Sequence, residues 1–130
     1  MQANILNLLT RLRRDKQLTM LMISHDLRMI RFTSDRVAVL HLGQVVEVAD
    51  RDDLFDRAVH PYMLALLEAS ATSHSGQGEA LSAQGDPPSP VSPPAGCRYN
   101  TRCPFATDVC RTVTPEPRDV GSGHQARYHY

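Results

Sequence analysis

Two groups of residues carry the chemistry this sequence could do. The first is Ser24-His25-Asp26, which follows the apolar run Leu18-Thr19-Met20-Leu21-Met22-Ile23. An imidazole donates or accepts hydrogen bonds and changes protonation near neutral pH, so His25 suits contact with a phosphate oxygen or an attacking water. Asp26 could cap a following helix or steer that ring. On pattern alone a loop histidine satisfied by its neighbours is the commoner reading of such a tripeptide. The second group is Cys97-x5-Cys103-x6-Cys110. Three thiolates at this spacing can converge on one centre and are the ligand type favoured by zinc and iron–sulfur clusters. Three free thiols on a flexible tail is the alternative. A redox pair is the weakest reading, because no Cys-x-x-Cys occurs.

The elements that must position these groups follow from periodicity. Gln2 to Lys16 has helical spacing with Ile5, Leu6, Leu8, Leu9 and Leu12 on one face, and its final turn is crowded with cations that complement the helix dipole. Leu18 to Ile23 is too short to span a bilayer and reads as a doubly buried parallel strand, whose carboxyl end is where α/β sheets bind ligands. Asp26 to Thr33 is a short helix burying Leu27, Met29, Ile30 and Phe32. Arg36 to His41 and Gln44 to Val48 flank Leu42-Gly43 and form a β-hairpin. Asp50 to Arg57 is an acid-capped helix. A further helix opens at His60-Pro61-Tyr62, with proline where its missing N–H costs nothing. His60 there is read as a helix-flanking structural residue.

Composition sets the bounds. Fourteen basic and fourteen acidic residues cancel, which removes the electrostatic case for general nucleic-acid binding or a polybasic membrane anchor. No uninterrupted apolar stretch approaches the roughly 18 residues of a membrane span, and no basic-then-apolar leader opens the chain. Three cysteines, an odd number, make no disulfide framework. Residues 71–95 shift to Ser, Gly, Gln and Pro and read as a disordered linker.

Taken together, Gln2-Ala3-x-Ile5-Leu6-x-Leu8-Leu9, Ile23-Ser24-His25-Asp26-Leu27, Asp35-Arg36-Val37-Ala38-Val39 and Gly43-Gln44-Val45-Val46-Glu47 closely resemble the last part of an ABC transporter ATP-binding subunit. Leu54-Phe55 through His60-Pro61-Tyr62 resembles the extension of the oligopeptide and dipeptide importers, and the cysteine tail is similar to their C-terminal motif. The resemblance implies an α/β fold, the C-terminal remainder of a P-loop NTPase nucleotide-binding domain. Residues 1–49 would be the nucleotide-domain part, 50–70 the helical extension, 71–95 the linker and 96–130 the Cys-rich tail.

By the same resemblance His25 corresponds to the switch, or H-loop, histidine at the ATP γ-phosphate. Positioning and charge stabilisation are most of what phosphoryl transfer asks of a protein. The implied partners are a second ATP-binding subunit, the inner-membrane permeases and, indirectly, an external solute-binding protein, with no nucleic acid. The implied place is the cytoplasmic face of the membrane. No phosphate-cradling glycine loop, signature sequence or Asp-Glu strand is found. In the family these lie upstream of the opening helix, so truncation is expected, ATP and Mg would need that upstream part, and the chain alone should not hydrolyse ATP. The apolar face of Ile5, Leu8, Leu12, Leu21 and Ile23 should then lack a partner. For the tail the family implies a 4Fe–4S cluster with a fourth cysteine where Tyr128 stands here. That leaves a three-cysteine site at Cys97, Cys103 and Cys110, open to completion by His124 or His129, or by nothing. The alternative function is a non-catalytic remnant or metal-binding interaction module.

Overall fold

The computed structural model describes residues 2–72 and 88–130. Most of the expected linker, 73–87, lies outside the described residues. The chain divides into two compact units, one ending at Asp35 and the other running from Arg36 to Tyr130.

The first unit is two helices joined by a segment that is neither helix nor strand. Helix α1 spans Gln2–Lys16. It stops because Gln17 turns left-handed (φ 51°), and the Leu18 and Gln17 amides then bond back to the carbonyls of Arg13 (2.9 Å) and Arg14 (3.4 Å). That pair of bonds is the Schellman arrangement, which satisfies carbonyls a helix end otherwise leaves bare. Helix α2 spans Leu27–Thr33 and is capped by Asp26, whose carboxylate accepts from the Arg28 and Met29 amides. Arg13 reaches the Thr33 carbonyl at 3.1 Å and Asp35 at 3.1 Å, tying the two helices together.

Two expectations for this unit are corrected. Leu18 to Ile23 is not a strand: no described strand pairs with it, and without a ladder partner its backbone cannot form one. No parallel pairing occurs in the sheet either. Phe32, expected inside, is 61% exposed, and Ile30 alone of its helix is buried. Ile5 and Leu8 are 55% exposed and Leu21 and Ile23 92%.

The second unit is built on the expected hairpin. Strands β1 (Arg36–His41) and β2 (Gln44–Asp50) pair antiparallel, with His41 opposite Gln44. Both turn residues, Leu42 (φ 47°) and Gly43 (φ 75°), are left-handed, as a two-residue turn matched to strand twist requires. Helix α3 (Arg51–Asp56) buries Leu54, and α4 (Pro61–Thr72) buries Met63. Beyond the linker come α5 (Asp108–Thr112) and a second hairpin, β3 (Pro117–Gly121) and β4 (His124–Arg127). Strand β4 adds to β2, giving a four-stranded antiparallel sheet in the order β1-β2-β4-β3. The core draws on both sides of the linker: Val39, Val46, Ala49, Leu54 and Met63 before it, Tyr99, Cys110 and Ala126 after it.

Candidate functional site

His25 stands at the end of the segment that joins α1 and α2 and is exposed. The turn that holds it is made by its neighbours. The Ser24 hydroxyl accepts from the Asp26 amide at 3.0 Å, and Asp26 in turn caps α2 at 2.9 and 3.2 Å. Exposure alternates along residues 21 to 25, with Leu21, Ile23 and His25 exposed. The ring is therefore open to a ligand or partner arriving from outside, rather than sealed in a dry interior.

The three cysteines do converge. Cys97, Cys103 and Cys110 line one cavity together with His60, Tyr128, His129 and Tyr130. The loop geometry behind this is specific. The Cys97 amide bonds the Cys110 carbonyl at 2.8 Å, and the buried Asn100 side-chain amide bridges that carbonyl (3.2 Å) to that of Ala95 (2.6 Å). Gly96 sits between them at φ +71°, where a Cβ would lie 2.5 Å from the Cys110 oxygen. Only glycine allows that approach. Thr107 Oγ1 lies 3.4 Å from the Cys110 sulfur.

This geometry does not fit a 4Fe–4S cluster. The cavity measures about 10 Å³, room for about one water molecule. Burial pushes the Cys97 and Cys103 thiols up. Tyr128, where the resemblance implied a fourth cysteine, lines the cavity wall. Among the described residues no group of three or more His, Cys, Asp or Glu is set to hold a metal ion. His124, considered as a completing ligand, is engaged elsewhere.

That engagement was not foreseen. Glu47 is fully buried on β2. Its carboxylate accepts from the Val59 amide (2.8 Å), the His60 amide (3.1 Å) and lies 2.6 Å from His124 Nε2. One side chain thus ties the hairpin, the turn into α4 and the tail strand β4. A buried acid survives only when hydrogen-bonded on this scale. The signal in the sequence was a lone acid inside an otherwise apolar β-run, Val45-Val46-Glu47-Val48.

His60 is structural, as expected. Its Nδ1 accepts from the Tyr62 amide at 3.1 Å, capping α4. Burial, reinforced by His41, lowers its pKa to about 4, so the ring is neutral. His41 packs against Tyr62 (4.3 Å between ring centres) and Tyr99 (5.3 Å), and burial, then Arg102, lowers it too. Arg98 closes the assembly from the tail by donating to the Leu42 carbonyl of the first hairpin turn.

Comparison with known proteins follows the same span. Residues 46–110 match the family described as the oligopeptide/dipeptide transporter C-terminal region. A Brucella ovis protein named as a peptide import ATP-binding protein is 46% identical over 95% of this chain and 39% of its own length. The oligopeptide transport ATP-binding protein AppF of Bacillus subtilis is 38% identical over 98% of this chain and 40% of its own. A Sinorhizobium fredii protein named for peptide ABC transport and ATP binding is 40% identical over 98% and 36%. The chain spans about two fifths of the length of these relatives. It belongs to the oligopeptide/dipeptide transporter C-terminal region family.

Proposed function

We propose that this chain is the carboxyl-terminal portion of the energy-coupling ATP-binding subunit of an importer for peptides or similar solutes. The observation that carries the reading is the reach of the similarity. It extends over 95% or more of the chain, from α1 through the tail, to proteins named for peptide transport and ATP binding. No helix among the described residues is long and apolar enough to cross a membrane, which suits a subunit held at the cytoplasmic face by permeases.

Within that reading His25 contacts the γ-phosphate and helps hold the attacking water when two nucleotide domains close head to tail. Its support is positional: the ring is exposed, and both its neighbours are fixed by the cap of α2. Phosphoryl transfer needs such a positioned polar group more than it needs covalent chemistry. Closure on ATP and reopening after hydrolysis would drive the permeases between inward and outward states. ATP and Mg would be held mainly by the part of the subunit this chain does not span. The cysteine cavity has no part in the reading.

The test is uptake. Joining this chain to the upstream part of the Brucella ovis relative, in cells lacking that relative's own gene, should restore peptide import. His25→Ala in the same fusion should abolish it. Restored import that is indifferent to residue 25 would overturn the role given to that ring.

A further inference from the structure

We propose that Cys97 and Cys110 are a site of reversible oxidation, which closes to an intramolecular disulfide when a peroxide reaches it and leaves Cys103 as the free thiol. The inference is independent of the transport reading. It starts from the misfit between these residues and a 4Fe–4S cluster.

Four observations carry it. The Cys97 amide donates to the Cys110 carbonyl at 2.8 Å, and residues bonded in this way stand with Cα atoms about 5.5 Å apart, inside the range a disulfide bridges. Both side chains line the same small cavity, so they turn toward one space. Behind burial, Cys110 is among the groups that push the Cys97 thiol up, so the two sulfurs act on one another across that space. The approach is held by parts other than the thiols: Gly96, whose Cβ would meet the Cys110 oxygen at 2.5 Å, and Asn100, which bridges the carbonyls of Ala95 and Cys110. The pair is thus assembled before any oxidant arrives. Cys103 lines the same cavity, but its carbonyl is held within its own turn by the Ala106 amide at 3.2 Å. No Cys-x-x-Cys marks the pair, because it is made by the fold.

Exposure sets the order of events. Cys97 is half-buried and Cys110 buried, so the Cys97 sulfur meets the oxidant first. Its thiolate attacks one oxygen of hydrogen peroxide, the O–O bond breaks, and Cys97 becomes a sulfenic acid while the other oxygen takes up the thiol proton and leaves as water. The Cys110 sulfur then attacks the Cys97 sulfur, the S–O bond breaks, and the hydroxide leaves with the Cys110 proton as a second water. Two thiols have lost two electrons and the peroxide has gained them. A dithiol reductant reverses the bond by exchange.

The experiment uses the whole chain, purified and reduced under argon, assayed for iron and zinc, then treated with a small excess of hydrogen peroxide. Its mass should fall by two hydrogens, peptide mapping without reductant should join Cys97 to Cys110, and dithiothreitol should restore the starting mass. The same treatment in concentrated urea should favour the sequence neighbours, Cys97 with Cys103 and Cys103 with Cys110, because shorter loops close more easily. Cys103→Ser should form the bridge at the parent's rate, and Gly96→Ala should slow it roughly tenfold or more by displacing one backbone from the other. A bridge to Cys103 in the folded chain would overturn the proposal. So would a Cys97–Cys110 bridge forming as readily in urea, sulfinic acid or intermolecular disulfides in place of the bridge, or stoichiometric iron or zinc held by these cysteines.

Discussion

Removing the Glu47 carboxylate should loosen the second unit more than any other single truncation of a polar side chain. Glu47→Ala leaves three groups without their acceptor: the Val59 and His60 amides and the His124 ring nitrogen. Glu47 is 0% and His124 4% exposed, so water reaches neither in the folded state. Stranding one member of a buried pair costs about 3–5 kcal/mol, consistent with one to three for each unsatisfied donor once some relaxation is allowed. A domain of this size has a total stability of about 5–15 kcal/mol. The loss is therefore about a fifth of the total or more, and the melting temperature should fall by some 12 °C or beyond at about 4 °C per kcal/mol. Urea unfolding followed by circular dichroism measures it. His124→Ala should lose less, because the two amides keep their acceptor. The double variant should cost less than the two losses added, as coupled groups require. A Glu47→Ala variant melting within about 3 °C of the parent, or strict additivity with His124→Ala, would refute the reasoning.

Acid should destabilise the unit through His60. Its folded pKa, about 4, lies below the ordinary 6.5, so the stability its neutral ring contributes is complete above pH 6.5. That stability is lost as pH falls toward 4, by about 3 kcal/mol at most. Denaturation midpoints across that window check this, and His60→Asn should flatten the curve. Gly96→Ala forces a Cβ to within 2.5 Å of the Cys110 oxygen at a left-handed φ. It should cost about 2 kcal/mol or more, and faster alkylation of Cys110 would report the opening of the loop. Asp26→Ala removes the cap of α2, worth about 1 kcal/mol, and amide exchange at Arg28 and Met29 should quicken while the second unit is unaffected.

How much of this was legible in the sequence depended on how local the cause was. The first hairpin was legible because β-branched residues and Leu42-Gly43 specify it within a dozen positions. The proline-led helix was legible for the same reason. Strands β3 and β4 were not. Pro117–Gly121 is exposed throughout and has no alternation to read, and β4 is a strand because β2, across the linker, offers it an edge. Glu47 shows the same limit: its partners lie 12, 13 and 77 positions away. The cysteine spacing correctly implied convergence, but the size of the space between the thiols depends on Gly96, Asn100 and the aromatic residues around them. Leu18 to Ile23 has the composition of a buried strand, but pairing needs a neighbour, and composition does not say where the neighbour is.

The most direct measurement is phosphate release by the purified fusion of this chain to the upstream part of the Brucella ovis relative. With Mg-ATP the fusion should turn over steadily, the chain alone should release nothing, and His25→Ala in the fusion should reduce the rate to near background. A His25→Ala fusion as fast as the parent, or steady hydrolysis by the chain alone, would contradict the account.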